Sequence, residues 1–140
     1  MTTVPTKGIH PTYAHEGDAG ADLRALQDAW VRPGQFVTIR TGTSLAIPEH
    51  HFGLVAGRSG LGIKHGITLV NGIGVIDAGY RGEIQVGLIN HGRNPYKVGT
   101  GDRIAQLIIV PFTTATFTPA DDLEHTARGT GGLGSTGSAA

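Results

Sequence analysis

Four places in this chain hold side chains that can do chemistry. Asp18 and Asp22 bracket glycine and alanine in HEGDAGADLRA, residues 15–25. Arg58-Ser59-Gly60 follows an apolar stretch, and Asp77, Tyr80, Arg81 and Glu83 crowd into GVIDAGYRGEI, residues 74–84, while Gln106 interrupts an otherwise apolar run. Singly, each has a plain reading: Asp-Ala-Gly is a turn, Arg-Ser-Gly is a loop, and an acid near an arginine is a surface pair of small value. The repeated form argues for more, because glycines that permit close backbone approach recur beside groups suited to phosphate or metal. Arginine, serine and free backbone N–H groups suit phosphate oxygens. Carboxylates suit a hard cation such as Mg²⁺, which keeps much of its water, and a further carboxylate could act as base to a water. This is an inventory for hydrolysis of a nucleotide phosphate. The chain has no GxxxxGK[ST], and no GxGxxG lies between a strand and a helix. The seven histidines, including the pair His50-His51, show no i, i+4 helical pairing and have no cysteine partners, which speaks against zinc and reads them as surface residues.

The elements that must position these groups are short. At 140 residues the chain fits one domain with a modest core. Its 11 Lys plus Arg balance 11 Asp plus Glu, so no global field draws it to nucleic acid or an anionic membrane, and neither is expected as a partner. With no cysteine there is no disulfide framework. The first residues, MTTVPTKGIHPTY, lack an apolar signal region and no run reaches membrane-spanning length, so a cytoplasmic protein is expected. The 23 glycines are spread along the chain without a period. Between them, residues 36–39, 52–55, 67–70, 83–89 and 104–110 are strand-like in length and residue type. Turn signals at 33–34, 48–49, 57–60, 72–74, 90–95 and 99–102 separate them. One short helical turn can follow Ser59. The expected fold is all-β, a jelly-roll-like barrel or sandwich. In Arg103–Val110 both faces are apolar, which fits either a central strand or a strand whose second face meets another subunit.

Five stretches in order carry a resemblance: AGADL at 19–23, GRSGLGIKHGI at 57–67, NGIGVIDAGYRGEI at 71–84, GDRIAQLI at 101–108 and RGTGGLGSTG at 128–137. Together they cover nearly the whole length and resemble the motifs of the homotrimeric dUTP pyrophosphatases (dUTPases) of the dUTPase/dCTP deaminase superfamily. The resemblance implies a jelly-roll-like β-clip core over 1–120 with at most one short helix, and a flexible C-terminal arm over 121–140. It implies a homotrimer with active sites shared between subunits. The implied reaction is Mg²⁺-dependent hydrolysis of dUTP to dUMP and pyrophosphate, which limits uracil incorporation into DNA and supplies dUMP for dTMP synthesis.

Roles carried over by motif are these. Asp77 is the base for a water attacking the α-phosphorus, and Asp22 holds Mg²⁺ through water. Arg58, Ser59, Gly60 and Gln106 hold the triphosphate. The third motif forms a hairpin pocket for the base, with Asn71 as its side-chain contact; Gly74, Val75, Ile76 and Gln85 are further substrate-binding residues, and Tyr80 packs under the sugar against a 2′-hydroxyl. Arg128, Leu133, Gly134 and Ser135 belong to the arm, whose glycines free N–H groups to wrap phosphate and whose ordering costs entropy.

Two residues depart from the pattern: Leu133 replaces the usual phenylalanine that stacks on uracil, and Gly57 replaces the common proline before Arg-Ser-Gly. The related dCTP deaminases fit less well, since Gly87 stands where they carry a catalytic glutamate and Ile63 where they carry an arginine. A nucleotide-sensing protein on the same scaffold is the other reading; it has no need of a base at Asp77.

Overall fold

The computed structural model describes residues 2–133. Eleven strands and one helix are present among them. The strands are β1 (Thr6–Gly8), β2 (Ala21–Arg24), β3 (Ala29–Val31), β4 (Phe36–Arg40), β5 (Thr43–Leu45) and β6 (His51–Gly57), followed after the helix α1 (Ser59–His65) by β7 (Ile67–Leu69), β8 (Gly74–Ile76), β9 (Gln85–Asn90), β10 (Tyr96–Val98) and β11 (Arg103–Pro111). All pairings are antiparallel. A four-stranded sheet runs β2-β11-β6-β8 and a three-stranded sheet runs β4-β9-β7; two-stranded ribbons β1-β5 and β10-β3 complete the fold.

The core gathers the inward residues of these sheets: Leu23, Val31, Ile39, Val55, Ile67, Leu69, Ile84, Val86, Leu88, Val98, Ile104 and Leu107 are all buried. The period-two alternation is clearest in β9, where Val86, Leu88 and Asn90 point inward. Asn90 is a buried amide that is fully employed, donating to the carbonyls of Val31 and Asn94 and accepting from the Gly92 N–H.

The all-β expectation holds, with one helix. That helix is two turns long and opens directly on Ser59. It ends at Gly66, whose φ of 69° is left-handed and whose N–H reaches back to the carbonyls of Gly62 and Leu61. A side chain at Gly66 would also meet the backbone of Gly92. The strands expected at 36–39, 52–55 and 104–110 extend by one or two residues, the one at 67–70 ends one residue early, and the one at 83–89 begins two residues late; Gly74, read as part of a turn, instead begins β8. β11 is a central strand between β2 and β6. Its burial changes along its length: Ile104, Ala105 and Leu107 are buried, while Ile108, Ile109 and Val110 are half-buried.

His50 adopts a positive φ of 60° in the turn before β6, and His51 is the first residue of that strand. After Pro111 the chain leaves the sheet. Phe112 donates its N–H to the His50 carbonyl and sets its ring edge-on to Phe52 at 6.1 Å. From there to Leu133 no strand or helix forms and nearly every residue is exposed. No helix among the described residues is long and apolar enough to cross a membrane.

Candidate active site

Most of the candidate residues fall into two groups at opposite ends of the four-stranded sheet, and a third group lies in the sequence after β11. The first is built on β2, β11 and the end of β6. In the β2–β11 ladder Asp22 stands opposite Gln106, which stands opposite Ala56 of β6. Arg58, two residues beyond Ala56, turns back over the same row. Its Nε lies 3.2 Å from Asp22 Oδ1, and Arg103 Nη1 donates to Asp22 Oδ2 at 3.4 Å. Asp22 is 3% exposed. Gly20 is required here, since a Cβ would press on the Gln106 side chain at 3.2 Å. Ser59 and Gly60 occupy the first turn of α1, where amides lack an intrahelical acceptor, and nothing lies within 4 Å of a Cβ built on Gly60.

The Asp22–Arg58 contact is close in distance but poor in direction. Asp22 Oδ1 and Arg58 Nε are both buried, and neither has a hydrogen-bond partner. Buried polar atoms of this kind are rare in native interiors and need a reason. The Oδ1 lone pairs are unused and offer a hard oxygen donor. Among the described residues no cluster of three or more His, Asp or Glu could cage a metal. A single carboxylate of this type fits a hydrated Mg²⁺ held through water, not a directly ligated ion.

The second group lies on the hairpin between β7 and β9. Asn71, Gly74, Val75, Ile76 and Gln85, with Val55, Leu69, Val86 and Gly87, line a cavity of about 160 Å³. Val75, Ile76 and Gln85 also line an adjoining cavity of about 470 Å³, together with Asp77, Tyr80, Glu83 and Ile84. The hairpin turns at Gly72, where φ is 72°. Gly74 pairs with Val55, whose Cβ would stand 3.1 Å from any Cβ at 74, so glycine lets the backbone line the cavity. A Cβ at Gly87 would come within 2.7 Å of Val70 Cγ1, so this position is filled by a neighbour.

Asp77 follows β8 directly and is exposed. Its carbonyl accepts the Tyr80 N–H at 3.0 Å, and the Tyr80 hydroxyl donates to the Glu83 carbonyl at 3.0 Å, folding the ring across Gly82. Arg81 donates to the carbonyls of Ala78 and Tyr80 and does not pair with Glu83. Glu83 is held instead by Arg40 at 2.9 Å and by the Gly42 N–H at 2.7 Å, and these hydrogen bonds from Arg40 and Gly42 hold its carboxyl below the usual glutamate range.

Within one chain the two groups do not meet. β8 runs antiparallel to β6 with Ile76 opposite Gly53 and Gly74 opposite Val55, so Asp77 lies toward the start of β6 and Arg58 beyond its end. Asp22 is three strands from β8 and about four residues further along, which places it roughly 20 Å from Asp77. The third group is apart from both: Arg128 donates to the Gly131 carbonyl within its own turn and Leu133 is fully exposed, while Gly134 and Ser135 lie outside the described residues.

Sequence reasoning missed Arg103 as a partner of Asp22 and Glu83 as the ligand of Arg40. Arg103 sat in plain view in GDRIAQLI, but a β-bulge between Arg103 and Ala105 is what turns it toward Asp22. Arg40 and Glu83 are 43 residues apart, a distance that leaves no local signal.

Comparison with known proteins converges on one family. The dUTPase family model matches residues 6–137. The deoxyuridine 5′-triphosphate nucleotidohydrolase of Leifsonia xyli is 53% identical over 91% of this chain and 84% of its own length. That of Cutibacterium acnes is 47% identical over 98% of this chain and 91% of its own. A mutant dUTPase of Staphylococcus bacteriophage 80alpha with dUpNHpp superposes with a TM-score of 0.90 at 26% identity, covering 98% of this chain and 99% of that one. A mutant dUTPase of phage phi11 of S. aureus, described with a structural Mg(II) ion, shares the fold with a TM-score of 0.81 at 24% identity, covering 89% of this chain and all of the other. Two groups of polar residues on a shared sheet, a glycine-lined hairpin and these likenesses together show that the chain belongs to the dUTPase family.

Proposed function

We propose that the chain hydrolyses dUTP to dUMP and pyrophosphate, with Mg²⁺, in active sites assembled between the copies of a homotrimer. The observation that carries this reading is the strand order and register that set Asp22 three strands from β8 and about four residues further along than Asp77, about 20 Å at ordinary sheet spacing. A base must lie within hydrogen-bond reach, directly or through one water, of the proton it takes. Phosphate ligands that far from the base cannot serve the same triphosphate within one chain. A neighbouring copy that brings its Asp22–Arg58–Gln106 end to this chain's hairpin closes the gap.

In such a site, uracil enters the cavity lined by Asn71, Gly74, Val75, Ile76 and Gln85, where the strand edge of β8 offers backbone donors and acceptors. Cytosine reverses that pattern and leaves groups unpaired, at a cost of about 1–3 kcal/mol each. Tyr80, pinned by its hydroxyl to Glu83, lies where the sugar follows the base and leaves no room for a 2′-hydroxyl. The Asp77 carboxylate takes a proton from a water as its oxygen bonds to the α-phosphorus. The bond from that phosphorus to the bridging oxygen of the β-phosphate breaks, and pyrophosphate departs. Arg58, Gln106 and the amides of Ser59 and Gly60 meet the charge that develops on the leaving group. Mg²⁺, when bound through the water contacts of Asp22, adds neutralising charge at the phosphates.

Residues 121–140 form an arm in this reading, its Arg128 directed to the γ-phosphate and Leu133, Gly134 and Ser135 covering the nucleotide. A cytoplasmic location belongs to the same reading. Pyrophosphate release, measured with Mg²⁺ and with chelator across dUTP, dCTP, dTTP, UTP and dATP while ammonia is followed, tests it. Mg²⁺-dependent release from dUTP alone is expected. Ammonia from dCTP would make the chain a deaminase, and no product from any nucleotide would make it a binding protein.

A further inference from the structure

Glu83 lines the cavity beside Asp77 and Tyr80 but has no place in the chemistry described above. Its side chain points away, into the connection between β4 and β5. One carboxylate oxygen, Oε2, accepts from Arg40 Nε at 2.9 Å and pairs with its Nη2 at the same distance. The other accepts the Gly42 N–H at 2.7 Å. Gly42 is itself fixed, with a left-handed φ of 68° and the side chains of Ile9 and Leu26 packed against the space a Cβ would fill. The next residue, Ile84, is buried and held twice more, its N–H on the Thr43 carbonyl at 2.8 Å and its carbonyl on Thr41 Oγ1 at 2.6 Å.

The loop upstream has no such anchorage. Arg81 bonds only within it, the Tyr80 N–H ends on Asp77, and the Tyr80 hydroxyl ends on the Glu83 carbonyl. Among the described residues, the hydrogen bonds that tie residues 77–83 to the rest of the chain end on the Glu83 carboxylate. A continuous path therefore runs from Arg40 through Glu83 to Tyr80 and from Tyr80 to Asp77.

We propose that Glu83 is a positioning residue, whose carboxylate, clamped by Arg40 and Gly42, sets the place of Tyr80 and Asp77 and thereby governs both turnover and rejection of the 2′-hydroxyl. The inference rests on the roles given to Asp77 and Tyr80 in the proposed function. Misplacement of a reacting group by about 1 Å is enough to cost as much as 10²-fold in rate, so a loosened clamp acts at a distance without any contact to substrate.

The test compares Glu83→Gln, Arg40→Met and the conservative Arg40→Lys in the full chain. Kinetics with dUTP and UTP are read alongside hydrogen–deuterium exchange of the peptide spanning 77–83. In Glu83→Gln and Arg40→Met, kcat for dUTP falls about tenfold with KM little changed, and the ratio of kcat/KM for dUTP over UTP falls by a similar factor. Arg40→Lys keeps part of both. Exchange in 77–83 rises while that of β9 and β11 stays at the wild-type level. An unchanged dUTP-to-UTP ratio, or a wild-type exchange rate in 77–83, overturns the inference. Exchange is read without nucleotide, so it decides the clamp even if the wild-type chain proves inactive on dUTP, a result that would count against the proposed function instead.

Discussion

Asp22 and Arg58 approach to 3.2 Å in the interior, yet the Arg58 Nε–H is not aimed at the carboxylate oxygen. The carboxylate is 3% exposed and is balanced by two guanidiniums. An ion pair with unspent hydrogen bonds is readily exchanged for a better-aligned anion, which is what a phosphate would supply to Arg58. Asp22→Asn removes the buried charge and leaves two partly exposed arginines facing each other. Urea unfolding is expected to show a loss of about 1–3 kcal/mol with the m-value unchanged. A midpoint equal to wild type would mean that the pair contributes nothing to folding.

Asp77 is exposed, so Asp77→Asn should leave stability and nucleotide binding intact. Turnover should fall by about 10²–10⁴-fold, the usual share of a positioned base. Single-turnover kinetics beside calorimetric binding of a non-hydrolysable dUTP analogue separate the two effects. Near wild-type turnover would remove Asp77 from the mechanism.

The distance between the two ends of the sheet allows a sharper experiment. Asp77→Asn and Arg58→Ala chains, each inactive alone, should regain roughly a quarter of wild-type activity when refolded together in equal amounts. One site in four then draws an intact Asp77 from one copy and an intact Arg58 from another. If both groups served one site within one chain, the mixture would stay inactive.

Leu133 is fully exposed and Arg128 bonds only within its own turn. Deleting residues from Arg128 onward is expected to leave the melting temperature unchanged while lowering turnover. Leu133→Phe should act in the opposite sense. Stacking of an aromatic ring on a base is worth about 1–3 kcal/mol, of which leucine recovers the apolar part, so KM for dUTP should fall by up to about tenfold. Identical KM values would show that position 133 does not touch the base.

The Glu83 carboxyl is held below the usual glutamate value of 4.5 by its hydrogen bonds from Arg40 and the Gly42 N–H. A folded-state value depressed in this way adds stability that is fully present above the unfolded value and is lost as pH falls through the folded one. The stability difference between wild type and Glu83→Gln should therefore be flat from pH 7 to about pH 5, then shrink below about pH 4. Denaturant titrations at stepped pH check this, and a difference that widened on acidification would contradict the clamp's ionic character.

Much of the fold was legible because its longer strands carry their own signal. β6, β9 and β11 combine β-branched residues with turns on either side, and each was expected within two residues of where it lies. Of the six three-residue strands, β7 was expected at 67–70 from its run Ile-Thr-Leu-Val, while β1, β3, β5, β8 and β10 were not, since a period of two is hard to read in so short a span. β2 was seen only as part of an acidic motif. For the site, the third motif held Asn71, Asp77 and Tyr80 in one contiguous stretch, whereas Asp22, Arg58 and Gln106 come from three separate motifs and meet only through the ladder of β2, β11 and β6. What remained hidden were contacts made by long-range folding alone: Arg103 reaching Asp22 through a bulge, and Glu83 choosing Arg40 over its near neighbour Arg81.

β6 has glycine at Gly53, where a Cβ would stand 2.9 Å from Leu107, 3.0 Å from Ile47 and 3.2 Å from Ile76. A larger residue there would press on the Ile76 Cβ of β8 and force Leu107 and Ile47 to repack. In the proposed homotrimer, with Asp77 near one end of β6 and Arg58 at the other, a single beam would carry parts of two different active centres. A chain damaged at Gly53 would spoil one centre through its hairpin and a second through its arginine. In a cell making both forms it would act as a poison subunit, and the lesion would be dominant.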